Sequence, residues 1–399
     1  MADVINLALF GRMNVGKSSL INMMLGYDFS IVSPVAGTTT DAVRKRFEMP
    51  GVGMVNLIDS AGYNDLDSSL GEKRTARTLD LVKQIDYAVL LYSGNQFGDY
   101  EKKMVRYFKD YDIPFVVVHN QSDIIPMDAA LAEKIEKKYA VKVLEFSCDV
   151  IDEAERKTLL DRLYEALAEL IRPCAVRTIL QGLVGEGDLI WLVCPIDESA
   201  PEGRLILPQV MAIRDVLDHK GRALVCQPEQ LPSMLGGSAE KPSLVVVDSQ
   251  VFGKVRDLIP EDYPLTSFSI LLARSKGPFE EYLEGIGQIA RLQDGDRVLI
   301  LESCSHHASC NDIGRVKIPT LLKKKTGKAL EFDVVSSLGA IDDFAKYQLV
   351  IQCGACMITR KQLMSRLKEP MDRRIPITNY GMTLAYLSGI LERAVAPLK

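Results

Sequence analysis

Three cysteines stand where an apolar, strand-like run gives way to a loop: Cys304 in RVLILESC, and Cys353 and Cys356 in LVIQCGAC. A Cys-x-x-Cys pair can turn two sulfurs toward one metal ion or cluster, and Gly354 permits the tight turn between them. A third thiol from elsewhere in the chain makes a three-sided set. His306 and His307 lie just beyond Cys304. Four readings fit these residue types. They are a Cys₃His zinc site using His306, a redox pair of Cys353 and Cys356 alone, an iron–sulfur cluster on three thiolates with one iron open to another ligand, and three cysteines that fill a core. The last is the weakest, because the sulfurs sit at strand ends in a turn. Spacing alone does not choose between zinc and iron. Cys310 reads as a bystander.

A second constellation lies at the other end of the chain. Gly11-x4-Gly16-Lys17-Ser18 joins the apolar run INLALF to an apolar-periodic helix. Such a loop turns the backbone N–H groups of Asn14, Val15, Gly16, Lys17, Ser18 and Ser19 toward phosphate oxygens, and the helix N-terminus adds positive potential. Lys17 can reach the β- and γ-phosphates, and Ser18 can ligate magnesium. Asp59, at the end of the run VNLID, suits magnesium, and the Gly62 N–H suits the γ-phosphate. In VAGTTTD, Thr39 completes the magnesium shell, with Thr38 in reserve. Asn120-x-x-Asp123 follows the buried run FVVV. A carboxylate there can accept from the two adjacent N–H donors of guanine, which adenine does not offer. This favours GTP over ATP. Ser147 and Cys148 follow a further strand, where their backbone can meet the guanine carbonyl.

These groups need rigid elements to hold them. Buried strands alternating with helices, with functional groups at the strand ends, describe an α/β protein with its site at the carboxyl edge of a sheet. The helical pattern ERKTLLDRLYEALAELI closes the first domain, expected as residues 1–172. DLIWLVCPI, RALVCQP and SLVVVDS, with a helical pattern between the first two, make a second α/β domain at 173–265. Cys194 and Cys226 lie inside its apolar runs as core residues, and His219 ends a helix. A third α/β domain, 266–399, carries the cysteines. If its strands are parallel, their carboxyl ends share one edge and the three thiols converge. TNYG around Asn379 and Tyr380 reads as a turn before the last helix. No internal repeat is legible.

The composition of the 399-residue chain, 47% hydrophobic and 25% charged, is that of a soluble globular protein. Its formal net charge of −5 argues against a dedicated nucleic-acid binder. No apolar run approaches the ~18 residues of a membrane span, and the N-terminus does not read as a signal peptide. A cytoplasmic protein is expected, so the eight cysteines are thiols, ligands or core rather than disulfides.

The order GxxxxGKS, Thr, DxxG, NxxD resembles a small GTPase domain. GRMNVGKSS with AGTTTD and DSAG is similar to the GTPases of tRNA modification and ribosome assembly. In that group the asparagine matching Asn14 helps hold a potassium ion beside the phosphates. Two positions depart from the pattern: Gln121 stands where the base-specificity motif carries lysine, and Tyr63 where Ras-like enzymes carry the water-orienting glutamine. With no evident arginine finger, slow turnover is expected. ESCSHH…NDIGRVKIP, QCGAC and IPITNYGMTLAYLSGILERA resemble HydF, the family of FeFe-hydrogenase maturation GTPases. That resemblance spans nearly the whole chain. It implies a dimerisation domain in the middle and a 4Fe–4S domain at the end. It implies a scaffold, homodimeric or higher, that delivers a two-iron precursor as cargo to apo-hydrogenase and works with the radical-SAM hydrogenase maturases. Cys304, Cys353 and Cys356 match the cluster cysteines, and His306 a fourth ligand used by some relatives. Others carry histidine just before the pair, where this chain has Gln352, so an exchangeable fourth ligand is expected. The alternative is an RNA- or ribosome-assembly GTPase with a structural zinc domain.

Overall fold

The computed structural model describes residues 4–26, 44–60, 78–171, 178–196, 205–237, 240–303, 312–336, 339, 341 and 343–399. Thr38, Thr39, Gly62, Tyr63, Cys304, His306, His307 and Cys310 lie outside the described residues. The chain divides into two compact units, 2–175 and 176–399.

The first unit is a six-stranded sheet of order β2-β3-β1-β4-β5-β6. Its strands are β1 (Ile5–Phe10), β2 (Arg44–Met49), β3 (Gly53–Asp59), β4 (Tyr87–Ser93), β5 (Phe115–Asn120) and β6 (Val143–Glu145). Only β2 runs antiparallel to its neighbour. The parallel strands are buried on both faces, which is why their sequences are almost continuously apolar. Helices α1 (Lys17–Met24) and α4 (Glu153–Ile171) and helices α2 (Asp99–Asp110) and α3 (Ala129–Tyr139) supply the apolar residues of two separate cores, on the two faces of the sheet. The strand ends therefore present Gly11, Asp59 and Asn120 along one carboxyl edge.

The second unit holds two four-stranded sheets, every strand parallel. One, β10-β9-β7-β8, uses β7 (Leu189–Val193), β8 (Arg222–Cys226), β9 (Leu244–Val247) and β10 (Leu265–Ser267), and so runs across the division expected at 265/266. The other, β12-β11-β13-β14, uses β11 (Arg297–Leu301), β12 (Glu331–Val335), β13 (Leu349–Gln352) and β14 (Ile377–Asn379). One continuous core runs from Ile179 to Leu398, with Cys194 and Cys226 inside it as expected. The helices used below are α5 (Leu207–Asp218), α6 (Phe268–Lys276), α7 (Phe279–Ile286), α8 (Ile318–Thr326), α9 (Arg360–Asp372), α10 (Tyr380–Leu387) and α11 (Leu391–Val395).

The two sheets are copies of one plan, a repeat the sequence does not betray. In each, the first strand is flanked by the second on one side and by the third, then the fourth, on the other. Each first strand follows a Gly-Asp turn, Gly187-Asp188 or Gly295-Asp296, with the glycine at φ 83° or 85°. In each turn the aspartate accepts the N–H three residues back: Gly185 to Asp188 at 2.7 Å, Gln293 to Asp296 at 2.8 Å. Pro264-Leu-Thr-Ser-Phe matches Pro376-Ile-Thr-Asn-Tyr, and each proline carbonyl accepts from the third strand, from Val245 at 2.8 Å and Val350 at 2.9 Å. Ser267 and Asn379 then cap α6 and α10 through Ile270 N and Met382 N. TNYG is thus a strand end and helix cap rather than a turn, and α11 follows α10.

The copies exchange their ends. Helix α7, after the first copy, packs on β14, and α11, after the second, packs on β10. Arg360 Nη1 donates to Lys276 O at 2.7 Å, and its near-counterpart Arg256 Nη1 donates to Ser388 O at 2.9 Å. At the crossing of α6 and α10 a Cβ on Gly381 would lie 2.7 Å from Ser269 Cβ, the side chain at its own equivalent position. Such reciprocal contacts are those of a two-fold axis, here within one chain.

Candidate functional site

In the first unit, Gly16 has φ 87°, and a Cβ there would stand 2.2 Å from Asn120 Nδ2. Glycine is required twice over, by backbone angle and by the asparagine packed against it. Asn120, expected as a nucleotide-binding residue of the Asn-x-x-Asp motif, braces the phosphate loop: its Nδ2 donates to Val15 O at 2.8 Å. Its Oδ1 accepts the Cys148 thiol at 3.5 Å. Burial pushes that thiol up to about 11, a shift the Asn120 bond eases. Gln121 Nε2 donates to Asn14 O at 3.0 Å, so the residue that departs from the usual motif also holds the loop. Asn14 itself sits at φ 62°.

Lys17 is buried, its Nζ held by Gly11 O at 2.9 Å and Arg12 O at 2.7 Å. Burial lowers its pKa, and the Asp59 carboxylate works the other way. Ser18 Oγ donates to Asp59 Oδ2 at 3.0 Å. These two oxygens, from α1 and the end of β3, form a hard donor pair of the kind magnesium takes. Asp123 accepts Ser147 Oγ at 2.5 Å, and Asp149 N donates back to that hydroxyl at 3.2 Å. Ser147 thus orients the carboxylate by its side chain, where only its backbone was expected to act. Arg12, inside the loop, pairs with the fully buried Glu101 at 2.8 Å, and Gly98 N donates to the same carboxylate oxygen at 2.8 Å. The sequence gives no sign of this bond, which spans 89 positions.

In the second unit, β11 and β13 are neighbours in parallel register. The sheet order reverses between them, so a crevice opens at their carboxyl ends. Cys353 leaves β13 at that point, its N–H donating to Leu301 O at 2.8 Å. Ser303 N, one residue before Cys304, donates to Cys353 Sγ at 3.1 Å. Gln352 Nε2 donates to the same sulfur at 3.3 Å and to Ser303 Oγ at 2.9 Å. Gln352, a poor ligand, is therefore an orienting residue. Two N–H donors thus fix the position of one sulfur. Ala355 takes φ 54° in the turn that brings Cys356 back. Burial raises the pKa of Cys356, and Lys276 opposes that shift. Arg366 crosses beneath, its Nη1 on Glu302 O at 2.7 Å and its Nη2 on Val335 O at 3.0 Å. Among the described residues, no group of three His, Cys, Asp or Glu side chains is placed to hold a metal. Cys304, the third thiol of the expected set, and His306 lie outside them.

The counterpart of Cys353 in the first copy is Asp248, whose N–H donates to Val193 O at 3.3 Å as that of Cys353 does to Leu301 O. Counting on from this pair, Val251 stands for Cys356. The first copy's crevice has neither thiol, and Asp248 caps a short turn through Gln250 N at 2.9 Å.

Comparisons with known proteins follow the same division. Residues 6–121 match the 50S ribosome-binding GTPase family, making this a P-loop GTPase domain. The chain is 34% identical over 140 residues to GTPase Der of Desulforamulus reducens, covering 34% of this chain and 32% of that protein. It is 35% identical over 125 residues to the tRNA modification GTPase MnmE of Thiobacillus denitrificans, covering 31% and 27%. The chain spans about a third of the length of these curated relatives. A solved structure of Aquifex aeolicus Era bound to GDP and AlF4− aligns with TM-score 0.33 and 24% identity, over 42% of this chain and 57% of that one. Beyond the GTPase domain, residues 179–277 match the Hydrogen maturase F dimerization domain and residues 280–397 the Hydrogen maturase F tetramerization domain. The boundary between the two matches falls where the structural repeat turns over. Together they take in more than half of the chain, which belongs to the hydrogen maturase F (HydF) family.

Proposed function

We propose that this chain is a cytoplasmic, GTP-hydrolysing scaffold of FeFe-hydrogenase maturation, which holds a 4Fe–4S cluster and delivers a two-iron precursor to apo-hydrogenase. The observation that carries the reading is the donation of two N–H groups to Cys353 Sγ in a switch-point crevice, in a chain of the HydF family. The donor chemistry fits: Cys353 and Cys356 are soft ligands, backed by N–H donors and by buried cationic side chains. Cys304 is the proposed third ligand and His306 a fourth that can leave. The radical-SAM hydrogenase maturases are the proposed source of the cargo. The dimerization and tetramerization matches support a homo-oligomer.

In the GTPase domain, Ser18, Asp59 and Thr39 would hold magnesium, which supplies charge neutralisation at the β- and γ-phosphates. Backbone N–H groups from Asn14 to Ser19 bind the phosphates, with the Gly62 N–H at the γ-phosphate. Lys17 adds a positive charge, and Asp123, held by Ser147, reads guanine. Asn14 is proposed to hold a potassium ion that speeds hydrolysis. Equal GTPase rates in sodium and potassium would remove that assignment. For the reading as a whole, metal analysis of anaerobically prepared protein decides: iron with acid-labile sulfide supports it, and stoichiometric zinc without iron overturns it.

A further inference from the structure

The cluster crevice is completed by a residue from the other copy of the repeat. Helix α6 belongs to the first copy, yet its last residue, Lys276, is 5% exposed and donates from Nζ to Ile358 O at 3.0 Å, two residues past Cys356. The backbone there is locked in place, since Arg360 Nη1 donates to Lys276 O at 2.7 Å. Gly354 packs against the same helix, with Leu272 Cδ1 3.6 Å from where its Cβ would stand. The pseudo-two-fold puts Ser388 at the equivalent place at the end of α10. A charge therefore stands on the side that faces the thiols, and a neutral hydroxyl on the side that faces Asp248 and Val251.

A second buried cation approaches from below. Arg366 is 9% exposed, and its Nη atoms bind the carbonyls of Glu302, the residue after β11, and Val335, the last residue of β12. Its Nε is buried with no partner among the described residues. The Glu302 carboxylate, which faces Arg366, is itself engaged by Arg315 and Ser336. A buried charge is costly unless an opposite charge or hydrogen bonds compensate it. A cluster on thiolates is a net anion, and its potential follows local charge and hydrogen bonding to sulfur.

We propose that Lys276 and Arg366 are the counter-charges of the thiol crevice and raise the reduction potential of the cluster held there. This rests on the cluster reading above. Removing a positive charge beside the cluster disfavours the reduced, more negative state, so the potential must fall. Lys276 also makes the site a joint product of both repeats.

The test uses full-length protein, reconstituted with iron and sulfide under anaerobic conditions, and measures metal content and midpoint potential. Lys276→Met, of similar length but uncharged, is expected to keep its iron and shift the potential to more negative values. Arg366→Gln shifts it the same way, and Lys276→Arg restores the wild-type value. If Lys276→Met loses the cluster, Lys276→Arg decides: iron retained supports a charge requirement, and iron lost overturns it. A wild-type midpoint potential in a fully loaded Lys276→Met protein overturns the assignment while leaving the cluster reading intact. Wild-type protein that takes up no cluster overturns both.

Discussion

Asn120 Nδ2 donates to Val15 O at 2.8 Å, tying the end of β5 to the phosphate loop after β1. The same amide is what a side chain at position 16 would strike. Gly16→Ala should therefore abolish measurable GTP binding, because strain at φ 87° adds to the collision. Asn120→Ala leaves Val15 O without its donor and should weaken binding by roughly 1–3 kcal/mol. Titration with a fluorescent guanine nucleotide measures both. Near-wild-type affinity in Gly16→Ala would show that the loop does not need this packing.

Guanine selectivity should rest on Asp123, with Ser147 as its support. Asp123→Ala should let ATP compete nearly as well as GTP. Ser147→Ala keeps the carboxylate but frees its orientation, so it should weaken GTP by about 1 kcal/mol with selectivity largely kept. Competition binding checks this, and ATP competing equally in the wild type would remove the base-reading role.

His119 is buried in β5 against Tyr92, ring centroids 4.9 Å apart, and neither ring nitrogen has a partner among the described residues. Burial lowers its pKa from the usual 6.5, against a smaller opposing effect of Glu145. The unfolded chain thus binds the proton more readily than the folded one. The stability this neutral imidazole preserves is full above pH about 6.5 and is lost as pH falls from there toward the lowered value. Thermal melts of the wild type should show Tm dropping between pH 7 and 5. His119→Leu should flatten that slope. An equal slope in both proteins assigns the acid sensitivity elsewhere.

Much of the first unit was legible in the sequence, because its functional groups follow strands that are apolar on both faces. Lys17, Ser18, Asp59 and Asp123 stand where those strand ends put them. What the sequence hides is who holds whom. Arg12 with Glu101, and Gln121 with Asn14, are tertiary pairs with no local signature. The repeat is hidden for another reason. Its matching positions are turns and caps, such as Gly187-Asp188 with Gly295-Asp296 and Ser267 with Asn379, scattered among core residues that repack freely. Lys276 was invisible as a site residue because it belongs to the other copy.

Lys17→Ala should lower GTP turnover by about a hundredfold or more, through loss of phosphate contact and transition-state charge. Iron content should stay near wild type, since the nucleotide and thiol residues lie in separate compact units. Loss of most of the iron in this variant would show that the two chemistries depend on one another.

The most direct test of the central claim is iron and acid-labile sulfide analysis, with electron paramagnetic resonance of the reduced protein, on anaerobically prepared wild type and Cys353→Ser. The account predicts about four iron and four sulfide per wild-type chain, with a signal from a reduced cluster. It predicts loss of most of both in Cys353→Ser, because the sulfur that accepts Ser303 N and Gln352 Nε2 is gone. A colourless wild-type protein carrying one zinc per chain, or a serine variant with its full complement of iron, would contradict it.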